Sequence, residues 1–343
     1  MKSKFRWQWW AVTLGVFLIV IAIFSVKLYA DRHAAAMAAS KTHAKSVSEH
    51  EAAVASSRRH AARKASKRHV AAVSSRRRAA AEASREEAQS KAAQVGQNHI
   101  AEANQYAYPV AQVKQEMDAP YTSPIKEKDA PYTSPIKEKV VFLTFDDGPN
   151  TVNSPKVLDI LSQAGVHGTF FVVGKQVSPE TAPVLKAEYD AGHAIGLHSM
   201  THDYSLLYPS RVGATAVIEN EAKSAQAVVQ QVLGSDFRSH IWRYPGGHFS
   251  WKGLAAADAA LSRLGLDWID WDAAVGDALS PAQEPKTEDA MLQYHLRSLN
   301  VYPASNVRVV LMHDALGKDL TVKTLPRIIQ YYRDNGYKFG VLE

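Results

Sequence analysis

Two adjacent carboxylates, Asp146 and Asp147, end a short apolar run in VVFLTFDDGPN, residues 140–150. Like charges side by side repel and resist joint ionisation unless a cation sits between them. The pair is therefore awkward in a plain Asp-Gly turn and well suited to a metal centre. Two histidines downstream, His198 and His202, stand four residues apart in HSMTH. At that spacing both imidazoles fall on one face of a helical turn and can hold one ion. One carboxylate with two imidazoles leaves coordination positions open for water and substrate, the pattern of a catalytic centre rather than a closed structural one. Such a set accepts a divalent ion, zinc first, with cobalt, manganese or iron also compatible.

Three further groups follow apolar runs. Arg243 stands in WRYPGG, where the next residues, Pro245, Gly246 and Gly247, suit a fixed guanidinium beside closely approached backbone; a surface salt bridge is the plainer alternative. His313 ends VVLMH and is a natural general acid or base. Asp277, in WDAAVGDA, reads equally well as part of a turn.

Strands are predicted over 140–145, 169–173, 194–197, 241–243, 266–271, 307–312 and 338–342, from short runs rich in β-branched and aromatic residues. Helices are predicted between them, over 155–164, 178–191, 214–233, 253–264, 287–299 and 321–335. That alternation implies parallel β/α units, arranged as a barrel or as an open doubly wound sheet. Either fold carries its site at the C-terminal tips of the strands, where Asp146, His198, Arg243 and His313 would lie. Gly148-Pro149 stops the first strand and turns the chain.

The remainder of the chain has a different character. There is no cysteine among the 343 residues, which excludes disulfides and thiolate metal sites. The net charge of +6 is uneven: residues 31–100 hold 14 Lys and Arg against 6 acids, and Lys2, Lys4, Arg6 and Lys27 precede them, so residues 101–343 are net acidic. Residues 1–8 read as a cytoplasmic tail and 9–28 as a transmembrane anchor. The core of that anchor is the uncharged 18-residue stretch 9–26, about the lower length for a spanning helix. A cleaved signal peptide is the rival, though its apolar core is normally shorter. Either segment puts the rest of the chain outside the cytoplasm, with nucleic acid not expected as a partner.

Residues 30–100, rich in Ala, Ser, Arg and Lys, read as a partly helical spacer or as a polycation gripping an anionic wall polymer. Residues 101–139 read as a linker. They contain the unit DAPYTSPIKEK twice, at 118–128 and 129–139, and two prolines per unit should keep it extended. The domain proper is then 140–343.

Taken together, TFDDGP, HSMTH, RYPGG, the GDA segment and LMH resemble, in order and spacing, the polysaccharide deacetylases of carbohydrate esterase family 4, which carry a NodB-like domain. The resemblance covers residues 140–343. It implies a distorted parallel (β/α) barrel. It also implies that Asp147, His198 and His202 are the metal ligands, that Asp146 is the general base held by Arg243, and that His313 is the acid oriented by Asp277. Leu311 would line the acetyl pocket, and the backbone N–H near Gly246 would help stabilise the oxyanion. The family often has Trp after the residue matching Asp277; here Ala278 follows, so a pocket wall must come from Trp271 or Trp251. The implied activity is metal-dependent removal of N-acetyl groups from cell-wall polysaccharide, with N-acetylglucosamine of peptidoglycan foremost, by a single-pass membrane protein facing the wall. The alternatives are an O-acetyl esterase on a wall or xylan-like glycan and a catalytically dead wall-binding protein.

Overall fold

The computed structural model describes residues 97–122, 134–301 and 305–343, and these belong to one compact unit, Val95–Glu343. The sequence-predicted anchor at 9–28 and nearly all of the stalk at 30–100 lie outside the described residues. Among the described residues no helix is long and apolar enough to cross a membrane.

The organising strand is β2 (Val140–Asp146), buried at every position. A strand buried on both faces reads as a continuous apolar run, as VVFLT does, because each side must be covered. Its odd residues Val141, Leu143 and Phe145 pack outward in the main core with the helices. Its even residues Val140 and Phe142 belong to a separate inner cluster. The same alternation carries Thr144 and Asp146 to the inner side.

All strand pairs among the described residues are parallel. β8 (Val307–His313) runs the full length of β2. On the other edge β9 (Lys338–Leu342) pairs with Val140–Phe142, and β3 (Thr169–Val172) with Thr144–Asp146. From β3 the ladder continues to β4 (Ala194–Leu197), β5 (Ile241–Trp242) and β6 (Asp267–Trp268). β7 (Ala273–Ala274) pairs with β8. No ladder joins β6 to β7 among the described residues, so the sheet curls into a parallel β/α half-barrel rather than a closed barrel.

The connecting helices fall near their predicted positions: α2 (Ser154–Ala164), α3 (Ala182–Asp190), α5 (Thr215–Leu233), α6 (Ala255–Arg263), α7 (Glu288–Ser298) and α8 (Asp319–Asp334), with a short α4 (Tyr204–Leu207) between α3 and α5. The helix α2 shows the expected punctuation, with Pro155 in its first turn and Gly165 left-handed, φ 63°, at its end.

The segment assigned from sequence to a linker is structured where it is described. β1 (Ala107–Tyr108) pairs with β9, and α1 (Val110–Thr122) buries Val110 and Val113 in the inner cluster with Val140, Phe142, Val307 and Val309. Ile136 joins them, and Ser134 donates to Glu116 at 2.6 Å. Upstream, the Asn98 amide donates to the Leu342 carbonyl at 2.9 Å. The helix α1 also runs into the first repeat, as far as Thr122, where extended chain was expected. Pro120 falls only in its last turn, and the apolar contacts of the first two turns stabilise the helix.

The inner face of the half-barrel therefore needs α1 to be covered. A chain beginning at residue 130 should melt below one beginning at 97 and bind a hydrophobic dye through the bared inner cluster. Equal melting temperatures without dye binding would show that 97–122 adds nothing to the fold.

Candidate active site

Register brings the polar groups together. The β2–β8 ladder sets Asp146 opposite His313, and Thr144 opposite Leu311. The β4–β5 pairing sets Leu197 beside Trp242, so the residues that follow, His198 and Arg243, emerge side by side. The turn after β7 delivers Gly276 and Asp277 to the same end.

A cavity of about 380 Å³ opens there, lined by Asp146, Asp147, His198, His202, Gly246, Trp271, Asp277, Leu311 and His313, together with Tyr204, Tyr294 and Lys318. These include nine of ten site residues read from sequence, Trp251 standing there only as the alternative to Trp271. The tenth, Arg243, is fully buried behind the cavity. Its Nη1 donates to Asp146 Oδ1 at 2.8 Å and to Thr144 Oγ1 at 2.6 Å. Its Nε and Nη2 reach the carbonyls of Ile269 and Asp270, and the guanidinium lies 4.0 Å from the Phe171 ring centroid. The surface salt bridge that the sequence also allowed is thereby replaced by a buried one. Trp251 packs beside the cavity rather than lining it, stacked on Tyr208 at 4.0 Å.

Asp147, His198 and His202 each offer one ligand atom, and these atoms lie within 4.8 Å of one another. Asp147 Oδ1 is 3.5 Å from His198 Nε2 and 3.2 Å from His202 Nε2. The two histidines are not on a helix, as their spacing suggested. They lie in the loop after β4, where Ser199 and His202 adopt left-handed backbone, φ 68° and 56°. That conformation is costly for residues with a Cβ, and it persists only where the surroundings hold it. Asp147 is also left-handed, φ 75°, which lets it share the cavity with Asp146 despite strand alternation.

The fit to a divalent ion rests on two features. Asp147 Oδ1 is buried without a hydrogen-bond partner, an arrangement that a protein ordinarily avoids. His198 Nδ1 lies 2.8 Å from the Arg243 carbonyl, which can only accept, so Nδ1 carries the proton and the Nε2 lone pair faces the triad. Burial also pushes His198 down to about 3, against the opposing pull of Asp147, so the ring stays neutral.

His313 is held differently. Asp277 accepts from its Nδ1 at 3.0 Å and from its backbone N–H at 2.9 Å, and from Thr321 at 2.8 Å. Burial would lower His313, but Asp277, helped by Asp146 and Asp147, raises it to about 9. Burial would likewise raise Asp277, yet His313 holds it below the ordinary carboxylate range. At neutral pH the pair is an imidazolium on a carboxylate, so His313 can give up a proton.

Sequence reasoning missed several supporting groups. Glu221 of α5 accepts from the Met200 and Thr201 backbone N–H groups at 2.9 and 2.8 Å and from Thr201 Oγ1 at 3.0 Å, which pins the histidine loop. The signal was present: Glu221 falls in the buried stripe of α5 with Ile218, Ala222, Ala225 and Val229, where an apolar residue is expected. Asn150 accepts from the backbone of Val152 and Asn153 and donates to the Asp314 carbonyl at 2.6 Å, which fixes the turn after the acid pair. Asp314 is pushed up to about 7 by burial, against the hydrogen bond that it accepts from Ser154.

A family profile for polysaccharide deacetylase matches residues 133–266. The structure resembles that of a CE4 esterase from Streptococcus mutans, with a TM-score of 0.66, 44% identity, and coverage of 73% of this chain and 97% of that one. It also resembles the catalytic domain of a peptidoglycan N-acetylglucosamine deacetylase from Eubacterium rectale, with a TM-score of 0.51, 26% identity, and coverage of 63% and 94%. By sequence, a peptidoglycan-N-acetylglucosamine deacetylase of Bacillus cereus is 29% identical over 200 residues, 58% of this chain and 68% of the relative. The chain belongs to the polysaccharide deacetylase family, the CE4 carbohydrate esterases. The family is one of hydrolytic deacetylases, which agrees with a cavity where three residues that could hold a metal ion, Asp147, His198 and His202, stand beside an acid and an imidazolium.

The His313–Asp277 pair sets a pH dependence. The folded pKa of His313 lies above its unfolded value, so the contribution of the pair to stability is present below about 6.5, until acid protonates Asp277, and is lost as pH rises through about 9. A reaction that needs the imidazolium loses rate over the upper part of the same window. Asp277→Asn removes the main charge sustaining the shift, and the alkaline limb of kcat/KM should move down by about one to three units. An unmoved limb would mean that another group titrates there.

Proposed function

We propose that the chain is a metal-dependent hydrolase that removes N-acetyl groups from cell-wall polysaccharide, with N-acetylglucosamine of peptidoglycan as the sugar and zinc as the ion. One observation carries the reading. Asp146 and His313 occupy the same rung of the β2–β8 ladder, face one cavity and are held by opposite partners, Arg243 and Asp277.

Amide hydrolysis needs an activated water, a site for the negative charge of the tetrahedral oxyanion and a proton for the departing nitrogen. An ion held by Asp147, His198 and His202 would supply Lewis acidity, making water nucleophilic at neutral pH and polarising the carbonyl. Asp146 has one oxygen committed to Arg243 and the other, Oδ2, 3.7 Å from His198 Nε2, beside the triad, where it can take the proton of the attacking water. His313, the imidazolium of the pair, gives its proton to nitrogen as the C–N bond breaks. The products are acetate and a free amine. Leu311 and Trp271 give the cavity its apolar wall, suited to an acetyl methyl, and Gly246 brings backbone to its edge. At Gly246 φ is 76°, which glycine adopts without strain.

The related peptidoglycan deacetylases support the sugar assignment. The apolar stretch at 9–28 would tether the enzyme to the membrane, and the basic segment 30–100 would reach toward, and grip, the anionic wall. A tether suits an insoluble substrate close to the membrane. In this reading the catalytic domain faces the wall from outside the cell.

The reading is tested by separating the two acids. Asp146→Asn keeps shape but cannot take a proton, so metal content should stay near one per chain while acetate release falls about 10²–10⁴-fold. Asp147→Asn should lose both metal and activity. Acetate release is measured in parallel from peptidoglycan, N-acetylglucosamine oligomers and acetylxylan. Activity on acetylxylan alone would favour an esterase, and no acetate from any of the three by metal-loaded wild type would refute the enzyme reading.

A further inference from the structure

The catalytic cavity holds a hydroxyl to which neither the motifs nor the reading above gives a role. Tyr204 begins α4, the four-residue helix directly after the histidine loop. Asp203 caps that helix, its Oδ1 accepting from the backbone N–H of Ser205 at 2.8 Å and of Leu206 at 3.3 Å. The cap fixes where the Tyr204 side chain leaves the backbone.

The ring is held on two sides. Its centroid is 5.2 Å from that of His202, and it meets Trp251 edge-on at 5.2 Å. Trp251 is itself fixed, its indole N–H donating to the Pro245 carbonyl at 2.8 Å. The phenol oxygen comes to rest over Gly246, where a Cβ would stand only 3.2 Å from it. That oxygen makes no hydrogen bond to any described residue. An aromatic ring packed on two sides and 45% exposed thus presents a hydroxyl that no described residue partners, between His202 and the backbone of Gly246.

We propose that Tyr204 is a catalytic residue whose hydroxyl donates a hydrogen bond to the oxyanion formed when water adds to the acetyl carbonyl. The proposal rests on the deacetylation reading above. As the water oxygen bonds to the carbonyl carbon, the π electrons move onto the carbonyl oxygen. Charge develops there, and a preorganised donor is worth most where charge develops. Tyr204 keeps its own proton throughout. When the tetrahedral centre collapses, the C–N electrons leave with nitrogen, which takes its proton from His313. Glycine at 246 belongs to the same device, because a side chain there would press on both the Tyr204 oxygen and Trp251. The sequence carried no signal for this, since Tyr204 lies outside HSMTH and meets Gly246 only through the fold.

The test is Tyr204→Phe, which removes one oxygen and keeps the ring. Metal content, melting temperature and KM should match wild type, while kcat for acetate release falls about 10²-fold. Affinity for a phosphonate analogue of the tetrahedral centre, measured by calorimetry, should fall by a comparable factor, because such analogues report transition-state contacts. Unchanged kcat and unchanged analogue affinity would overturn the proposal. So would a rise in KM alone, which would make the phenol a reader of the sugar, and so would loss of metal, which would make it a prop for His202. Wild type that releases no acetate from any glycan would defeat the deacetylation reading itself and this proposal with it. An active wild type with an indifferent Tyr204→Phe defeats this proposal alone.

Discussion

Arg243 is the residue on which the rest of the site depends, because it acts through both its side chain and its backbone. The guanidinium holds Asp146 at 2.8 Å, and the carbonyl receives the His198 Nδ1 proton at 2.8 Å. One residue therefore fixes the orientation of the cavity's inner acid and the tautomer of an imidazole in the candidate metal site. Its other donors go to Thr144 and to the carbonyls of Ile269 and Asp270, so the cation is fully partnered within the half-barrel. Removing one partner of a buried ion pair typically costs about 3–5 kcal/mol, since the remaining charge is left without compensation. The sheet is arranged around satisfying that cation. Thr144 and Asp146 lie on the inner side of β2, and the Ile269 and Asp270 carbonyls come from the segment after β6.

The fold solves a second electrostatic problem with the same economy. Asp146 and Asp147 are adjacent, yet they serve different partners. Asp146 turns toward Arg243, whereas the left-handed backbone at Asp147 swings its carboxylate toward His198 and His202. Opposite them, His313 rests on Asp277 in a separate pair. Each charged group thus has a local counterpart, and one oxygen, Asp147 Oδ1, is left for a cation. Three of the five non-glycine residues at positive φ among the described residues, Asp147, Ser199 and His202, belong to this site, and such strain persists only where the surroundings hold it.

Much of this was legible in the sequence, and for a physical reason. The central strands β2, β3 and β8 are rich in β-branched and aromatic residues, β4 and β9 are short and mostly apolar, and chemistry placed at strand ends is visible as a polar residue following an apolar run. What escaped had no such pattern. β1 and β7 are two residues each, and α4 is four. The helix α1 shows Val110 and Val113 among polar residues and a proline, so its sequence resembles linker, and only docking against Val140 and Phe142 makes it helix. The histidine pair was assigned to a helical turn because spacing alone cannot distinguish a helix from a loop in which Ser199 and His202 are left-handed. The supports, Glu221 and Tyr204, reach the site across the fold, and a linear motif does not record such contacts.

The central claim is that Asp147, His198 and His202 hold the ion while Arg243 keeps Asp146 off it. A crystal structure of the metal-loaded protein, with the ion located by its anomalous scattering, tests this most directly. The account predicts a single strong peak within bonding distance of Asp147 Oδ1, His198 Nε2 and His202 Nε2, with the Arg243–Asp146 contact intact. A peak ligated by Asp146 in place of Asp147, or no peak at the triad in protein that releases acetate, would contradict it.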